Sequence, residues 1–393
     1  MSMRVLVTDG DNRAALAVTR SLGRAGHHVI VGERREPSLA QMSRYCRRRL
    51  VYPDPSHDEA GFFDRIAECV RRERVDALIP VSDIATAVIS ARRAELDDAC
   101  RVPFADADTI DRAANKADVL RTAMKLGLPV PKSQFIERPD QPFDRSELSY
   151  PVVIKPYRSR VRTSEGWRSC SVGYARSEEE LLSELRRRPR HEFPLILQER
   201  IVGPGVGVFV CYDRGEPIAV FSHRRLREKP PSGGVSVLAE SAPVCPNARA
   251  YADALLRELG WQGVAMVEFK RDERDGLPKL MEINGRFWGS LQLAVDAGVD
   301  FPNILLGTLE GRRPAPAQYR IGVKNRWFWG DVDALLLRLR AKSNRRALAD
   351  GHRGRAVLEF LNLWGPDLYY ENPKLSDLRP WFYETARWFK GAA

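Results

Sequence analysis

Residues 264–289, VAMVEFKRDERDGLPKLMEINGRFWG, decide how the fold of this chain is interpreted. Two runs rich in apolar residues flank an Asp-Gly pair at 275–276, which is a common signature of a β-hairpin turn. Glu268 and Glu282 each lie seven residues from the aspartate of that turn, so a symmetric hairpin places them opposite each other on one face. Asn284 lies two residues beyond Glu282 and therefore points to the same face.

Two carboxylates that face each other across a strand pair repel, and a divalent cation between them would remove that cost. The amide oxygen of Asn284 would add a third hard ligand of the kind that Mg²⁺ takes in proteins. The alternative is a solvated hairpin face with two ordinary surface glutamates. The residues that bracket the pair on both strands are apolar, which favours a half-buried sheet and therefore the metal site.

Three basic residues are candidates for phosphate contacts. Arg286 follows Asn284 by two residues, and a guanidinium beside a metal site would clamp a transferring phosphoryl group. Lys155 ends the short apolar strand at 152–154, and Lys116 lies in a predicted helix. Each has an ordinary alternative: Arg286 as a surface residue, Lys155 as a snorkelling side chain and Lys116 as an exposed helix residue.

The first 110 residues alternate strand and helix signals. Strand patterns at 5–7, 29–31 and 77–81 are separated by helix patterns at 14–26 and 62–74. This β-α-β order predicts a parallel sheet covered by helices. The turn after the first strand, residues 8–12, lacks G-x-G-x-x-G, so a standard dinucleotide site is poorly supported.

The following region predicts a helix over 107–127, terminated by prolines at 129 and 131. The polar stretch 157–171 is rich in Arg and Ser and predicts a mobile loop. A second Gly-containing turn at 213–215 separates two more strand patterns and predicts another hairpin.

Five short segments, taken in order, resemble the ATP-grasp superfamily. They are Asn115-Lys116, VIKP at 153–156, LQE at 197–199, VEF at 267–269 and MEINGR at 281–286. The resemblance covers roughly residues 1–310, and its most specific part is the last segment following the Glu-x-Lys of residues 268–270.

The resemblance implies a fold class that combines α/β with α+β. A Rossmann-like pre-ATP-grasp domain with a parallel sheet would occupy residues 1–110, followed by a two-subdomain ATP-grasp fold at 111–315. The latter would consist of a lid subdomain at about 125–197 and a metal-binding, catalytic subdomain at about 198–315. A mostly helical C-terminal extension would occupy 316–393.

The resemblance also implies how ATP is held. Lys116 and Lys155 would bind its phosphates. Gln198, Glu199 and Ile201 would form the hinge that holds adenine, partly through backbone groups.

At the reacting end, the resemblance makes Glu268, Glu282 and Asn284 ligands of Mg²⁺, which Mn²⁺ could replace. Arg286 would stabilise the transferring phosphate and the acyl phosphate. The stretch between Lys155 and Val172 would be the lid, in which plausible phosphate contacts are Arg158, Arg160, Arg162 and Ser169.

Two departures from the family pattern are visible. The lid lacks the run of glycines common in the family. Residues 203–207, after the hinge, offer no acid for the ribose.

Residues 223–234, HRRLREKPPSGG, resemble a stretch found in one subgroup of ATP-grasp ligases. A basic loop beside the metal would suit an anionic substrate, with Arg225 as the carboxylate contact. The alternative is an exposed hairpin connection with scattered charge.

The composition limits the class of protein, its location and its partners. The chain has 393 residues, 44% of them hydrophobic, and a formal charge of +11 from 63 basic and 52 acidic residues. The six cysteines form no C-x-x-C pair and no zinc pattern, which favours reduced thiols and a cytoplasmic location. No apolar run reaches the length of a membrane span. The positive charge suits a polyanion such as ATP or follows from heavy arginine use, and no nucleic-acid partner is expected.

The segment from about 320 carries five of the eight tryptophans: Trp327, Trp329, Trp364, Trp381 and Trp388. Four of them, Trp327, Trp329, Trp381 and Trp388, lie among basic residues, a mixture that can rest on an anionic membrane. Packing against the core is the favoured alternative. A homodimer is a further expectation from the family.

The predicted function is ATP-dependent ligation. A substrate carboxylate would be activated as an acyl phosphate and attacked by an amine, giving an amide, ADP and phosphate. The alternatives are an ATP-grasp kinase, which would release a stable phosphorylated product, and a non-catalytic ATP-binding module.

Overall fold

The computed structural model describes residues 2–96, 98, 100–231, 234–313, 318–340 and 353–391. Within these ranges the strands form a four-stranded parallel sheet, a four-stranded antiparallel sheet, a seven-stranded mixed sheet and a separate two-stranded hairpin. The mixed α/β architecture and the mainly helical C-terminus confirm the predicted fold class.

The N-terminal region forms a four-stranded parallel sheet in the order β3-β2-β1-β4. Its elements are β1 (Arg4–Val7), α1 (Arg13–Arg24), β2 (His28–Glu33), β3 (Cys46–Val51), α2 (Glu59–Glu73), β4 (Ala77–Ile79) and α3 (Asp83–Arg92). The apolar residues of β1 are fully buried, as expected for a parallel strand covered on both faces. The predicted β-α-β alternation is therefore confirmed.

The helix predicted over 107–127 is two helices, α4 (Ala107–Ala114) and α5 (Lys116–Lys125). Asn115 has extended backbone angles, and its side chain accepts hydrogen bonds from the amides of Ala117 and Asp118. This is an N-cap, a role for which Asn is among the preferred residues. The break places Lys116 at the first turn of α5, where its backbone amide donates to Tyr157.

A four-stranded antiparallel sheet in the order β5-β10-β6-β9 follows. Its elements and the attached hairpin are β5 (Ser133–Ile136), β6 (Val152–Pro156), β7 (Arg160–Thr163), β8 (Gly166–Ser169), β9 (Gly173–Ala175), α6 (Glu178–Arg187) and β10 (Leu195–Glu199). The prediction of a mobile loop over 157–171 is wrong for its central part, because β7 and β8 pair as a hairpin. We call β7–β8 the lid hairpin.

The largest sheet has seven strands in the order β15-β14-β11-β12-β13-β16-β17. Its strands and nearby helices are β11 (Gly205–Asp213), β12 (Glu216–Lys229), β13 (Val235–Ser241), α7 (Pro246–Glu258), β14 (Gly263–Arg271), β15 (Pro278–Asn284), α8 (Leu291–Ala297) and α9 (Phe301–Thr308). Both predicted hairpins are present. We call β14–β15 the platform hairpin.

The charged stretch 223–234 is not a loop over most of its length, which corrects the prediction. β12 continues to Lys229 and pairs with β13. The charges are tolerated in the strand because they meet acids on neighbouring elements: Arg224 pairs with Glu240, and Arg227 with Asp331. Positions 232 and 233 lie outside the described residues.

The C-terminal segment comprises β16 (Lys324–Arg326), α10 (Phe328–Arg340), α11 (Arg353–Leu361), β17 (Leu368–Tyr370) and α12 (Arg379–Phe389). It is mainly helical, as predicted, but it also adds two strands to the large sheet. The indole rings of Trp329 and Trp388 stack at 4.2 Å between centroids, whereas Trp364 is 81% exposed. Among the described residues no helix is long and apolar enough to cross a membrane.

This segment also attaches to the N-terminal sheet domain. The buried guanidinium of Arg20 bonds the carboxylate of Asp377 at 2.8 Å and the carbonyls of Glu371 and Asn372 at 2.9 Å. A guanidinium removed from water in this way must have its donors satisfied, and the carbonyls and carboxylate do so. The C-terminal segment therefore ties the N-terminal domain to the large sheet.

Candidate active site

The platform hairpin places Glu268 directly opposite Glu282, as the spacing predicts. Met266 faces Asn284 in the same ladder, and a bulge follows between Glu268 and Phe269. Asn284 donates from Nδ2 to Oε1 of Glu282 at 3.1 Å. Two carboxylates and one amide therefore lie together at one end of the hairpin.

Each carboxylate of the pair has its own cation. Arg225 reaches from β12 and bonds Oε2 of Glu268 at 2.8 Å, while its other nitrogen bonds Glu228 at 3.0 Å. Lys116 lies 3.4 Å from Oε2 of Glu282 and donates to the hydroxyl of Ser159 at 2.7 Å. The repulsion expected between the two carboxylates is thus offset by positive charge from both sides.

The two carboxyl groups differ in acidity. Burial raises the pKa of Glu268; Arg225 opposes that shift, and the neighbouring Glu282 adds to it. Burial also acts to raise the pKa of Glu282, but Lys116, the bond from Asn284 and Lys155 outweigh it, so that pKa is lowered. Glu282 is therefore the more firmly ionised member of the pair.

Lys155 connects two sheets. It is on β6, its ammonium donates to Oε1 of Gln198 at 2.7 Å, and it lies 3.9 Å from the sulfur of Met281 on the platform hairpin. Burial lowers its pKa to about 8, and this effect exceeds the opposing attraction of Glu282. Lys155 is thus a half-buried cation between two sheets, where it could bind an anion.

The donor set fits a hard divalent cation. Among the described residues no group of three acidic, His or Cys side chains is close enough to hold a metal. A cation here would therefore take the two carboxylates and the amide oxygen of Asn284, and would fill its remaining positions with water or phosphate, as Mg²⁺ commonly does.

Arg286 is bound by Asp83, which lies in the N-terminal parallel-sheet region. Its Nε and NH2 bond the two carboxylate oxygens of Asp83 at 2.6 and 3.2 Å. Burial acts to raise the pKa of Asp83, but Arg286, Arg160 and Lys116 outweigh it and lower that pKa. A side chain at Gly285 would come within 2.6 Å of Trp261, so this residue lets the loop that carries Arg286 pass close to the core.

Asp83 is a site residue that the sequence interpretation missed. Ser82 caps α3 by accepting from the amide of Ala85, which makes Asp83 the first residue of the helix. It follows β4 at the carboxyl end of the parallel sheet, where ligands of such sheets commonly bind. This position at the end of a parallel strand could have marked Asp83 as a candidate site residue. No local sequence pattern, however, predicts that it pairs with an arginine 203 residues away.

The predicted hinge residues are already engaged within the protein. Gln198 is buried and donates from Nε2 to the hydroxyl of Ser133 at 3.0 Å. Glu199 pairs with Arg274 at 2.9 Å, and the carbonyl of Ile201 accepts from Lys270 at 3.3 Å.

A cavity of about 940 Å³ separates α3 and α4 from the lid hairpin and the end of β15. The predicted residues that line it are Lys116, Arg158, Arg160, Arg162, Ser169, Glu282, Asn284 and Arg286. Those that do not are Lys155, Gln198, Glu199, Ile201, Arg225 and Glu268. The predicted residues thus fall into two groups, which meet at the platform hairpin.

Comparisons with known proteins show what the chain is similar to. A family model described as ATP-grasp in the biosynthetic pathway with Ter operon matches residues 191–328. A D-aspartate ligase of Enterococcus faecium (strain Aus0004) is 24% identical over 271 residues, 62% of this chain, and the match spans 62% of that protein's length.

Solved structures show the same fold. An L-amino acid ligase from Bacillus licheniformis has a TM-score of 0.61 at 17% identity, over 78% of this chain and 74% of that one. An N5-carboxyaminoimidazole ribonucleotide synthetase from Thermotoga maritima has a TM-score of 0.59 at 16% identity, over 81% and 78%.

Proposed function

We propose that this chain, which belongs to the ATP-grasp superfamily, is an ATP-dependent ligase that joins a carboxylate to an amine. One observation carries the proposal: Glu268, Glu282 and Asn284 lie together on the platform hairpin, with Lys116, Lys155 and Arg286 around them. Few other reactions need two facing carboxylates within reach of three cations, and phosphoryl transfer from Mg-ATP is one that does.

The first step would be transfer of the γ-phosphoryl group. A carboxylate oxygen of the substrate attacks the γ-phosphorus, the bond to the β-phosphate oxygen breaks, and ADP leaves. Lys155 lies between the two sheets and Lys116 beside Glu282, so both would face the phosphates. The protein's contribution is to position the groups and neutralise charge, because little covalent chemistry falls to it.

Mg²⁺, when bound, would neutralise charge on the phosphate oxygens. Glu268, Glu282 and Asn284 would hold it through their oxygens, and Mn²⁺ could replace it. Arg225 and Lys116 would keep the two glutamates ionised and in place. Arg286, aligned by its two bonds to Asp83, would contact the transferred group.

In the second step the amine nitrogen attacks the acyl carbon. The bond between that carbon and the phosphate oxygen breaks, inorganic phosphate leaves, and the amine loses a proton to give an amide. Water would compete with the amine, so the lid hairpin must cover the site. Its contacts with α2 through Trp167 and Arg162 support this closed position.

The curated relative is a D-aspartate ligase and one similar structure is an L-amino acid ligase. These names support an amino acid as one of two small-molecule substrates. The cytoplasmic location, the homodimer and a membrane contact of the C-terminal segment through Trp327, Trp329, Trp381 and Trp388 stay predictions. No binding of the full-length protein to anionic liposomes at low salt would rule out the membrane contact.

Hydroxylamine trapping tests the proposed function. Purified protein is given Mg-ATP and pools of carboxylates in hydroxylamine buffer, and hydroxamate, ADP and phosphate are measured. We expect hydroxamate with one carboxylate pool, and a loss of at least 100-fold in Glu282→Gln. Glu273→Gln is the matched control, because Glu273 is exposed near the turn of the same hairpin.

Three outcomes would contradict the ligase. Full ATP turnover in Glu282→Gln would remove the site assignment. A stable phosphorylated product in place of free phosphate would indicate a kinase. ATP binding with no ADP formed across broad pools would indicate a binding module.

A further inference from the structure

The cavity beside the platform hairpin differs in chemistry from one wall to the other. Its volume of about 940 Å³ is at the upper end of the range for small-molecule pockets, which is about 300–1,000 Å³. The N-terminal domain forms one wall and the lid hairpin the opposite one. This inference rests on the proposed function, because the occupant is taken to be the substrate that supplies the carboxylate.

Most cations that line the cavity are already neutralised. Arg286 pairs with Asp83, Arg158 with Asp111 through two bonds of 2.7 and 2.8 Å, and Arg162 with Glu59. Lys116 lies beside Glu282. An anion that binds at one of these cations must therefore share it with the acid that is already paired there.

Arg160 is different. It is exposed on the first strand of the lid hairpin, and the only hydrogen bond of its side chain among the described residues is to the hydroxyl of Ser169 at 3.0 Å. Within the same described ranges no carboxylate lies within ion-pair distance of it. Arg160 also contributes to the field at Asp83, whose pKa responds first to burial and then to Arg286 and Arg160. A planar guanidinium with free donors facing a cavity is well suited to bind a carboxylate.

The opposite wall combines charged and polar side chains, among them Asp83, Thr86 and Asp111, with a patch of small apolar ones. Ala87 and Ala91 lie one turn apart on α3, and Ala107 and Ala114 lie on α4. Val161 and Trp167 of the lid hairpin complete the apolar lining. Alanines at these positions leave room that larger side chains would occupy, so the volume itself follows from them.

We propose that this cavity binds a carboxylic acid that carries a compact apolar group, with Arg160 contacting the carboxylate and the alanine-lined wall holding the apolar group. Such a substrate would present its acid function on the side of the cavity where Arg286, Glu282 and Asn284 lie. Arg160 would then be the residue that determines specificity for an acid. Its place on the lid hairpin would couple substrate binding to lid closure.

The test measures binding rather than turnover. Full-length protein is titrated by calorimetry, with and without Mg-ADP, with 4-methylpentanoate, 3-phenylpropanoate and the primary amides of both acids. We expect each acid to bind at least tenfold more tightly than its amide. Arg160→Ala should remove that tenfold preference and Arg160→Lys should restore part of it, while binding of the amides stays unchanged.

Two further variants locate the site. Ala87→Leu should weaken acids and amides alike, since it fills the apolar wall. Arg168→Ala is the matched control, because Arg168 is on the same hairpin, pairs with Glu165 and does not line the cavity; it should bind like the wild type. An unchanged midpoint of thermal unfolding, measured by circular dichroism, shows that each variant is folded.

The proposal is overturned if the wild type binds none of the four probes, binds acids and amides equally, or keeps its preference in Arg160→Ala. These outcomes are separate from failure of the proposed function. Arg160-dependent binding without any hydroxamate would contradict the ligase and leave the cavity assignment standing. Hydroxamate formation unaffected by Arg160→Ala would contradict the cavity assignment and leave the ligase standing.

Discussion

The platform hairpin and the lid hairpin border the same cavity but hold their charges in different ways. In the platform hairpin, Glu268 and Glu282 are 20% and 31% exposed and are fixed opposite each other by backbone pairing. In the lid hairpin, Arg162 is 65% exposed and is held by Glu59 of another domain.

This difference indicates which of the two hairpins can move. An exposed ion pair contributes about 0.2–1 kcal/mol, whereas a strand pair within a seven-stranded sheet is held by many hydrogen bonds and by the core. The lid hairpin is therefore the part that can leave its contacts at low cost. The platform hairpin would stay in place through a catalytic cycle.

Substitution of Arg286, which follows the platform hairpin, should lower the reaction rate more than any other change considered. Arg286→Ala is expected to lower kcat for ADP formation by about 1,000-fold, in the range found when a guanidinium that stabilises phosphoryl transfer is lost. Steady-state kinetics with the active carboxylate would measure this. A loss of less than tenfold would remove Arg286 from the chemistry.

Asp83 connects the platform hairpin to the N-terminal domain, so its loss should have an intermediate effect. Asp83→Asn is expected to lower kcat about tenfold with little change in KM for Mg-ATP, because it misorients Arg286 without removing it. In the Arg286→Ala background the same change should cost nothing further. Asp64→Asn, at an exposed acid of the same domain, is the control. Additive losses would show that Asp83 acts by another route.

The position of Lys155 between the sheets predicts a pH dependence. Because its pKa is lowered to about 8, it is protonated below that pH and loses its charge above it. Affinity for Mg-ATP should therefore fall several-fold between pH 7.5 and 9.5, by up to about tenfold per unit where protonation is required. Lys155→Arg should bind with little change over this range. Equal pH profiles for the two proteins would show that Lys155 does not meet the nucleotide.

The smallest effect is expected at the lid hairpin. Glu59→Gln removes the charge that holds Arg162 and weakens the bond from Trp167, so hydrogen exchange of residues 160–169 should rise about threefold. ATP hydrolysis without amide formation should rise with it. Glu165→Gln, which affects only the turn of the same hairpin, is the control. Unchanged exchange would show that other contacts hold the lid closed.

The sequence predicted the platform hairpin because every signal for it is local. The Asp-Gly turn, the alternation of side chains and the equal spacing of Glu268 and Glu282 are fixed within 17 residues, 268–284. Strand pairing then leaves no freedom in which residues face each other. The parallel sheet of the N-terminal domain was predictable for the same reason, since its apolar strands and helices each carry their own pattern.

Local patterns were misleading where tertiary partners decide the outcome. The charged residues 223–229 suggested a loop, yet they form a strand because Glu240, Glu268 and Asp331 supply their counter-charges. The polar stretch 157–171 suggested a mobile loop, yet its central part forms a hairpin that α2 supports through Glu59. The aromatic residues near the C-terminus gave no sign that they stack with one another and that their segment ties Arg20 down.

By itself, therefore, the sequence determined the fold class, the paired carboxylates and the order of the cations along the chain. Only the tertiary structure decided that Asp83 holds Arg286, that Glu59 holds the lid hairpin, and that Arg160 lines the cavity with no carboxylate of the described residues within ion-pair distance. The physical reason is the separation along the sequence over which each kind of signal acts. Periodicity and turn chemistry act over a few residues, whereas the first two of these pairings join side chains 203 and 103 residues apart, which only the path of the folded chain brings together.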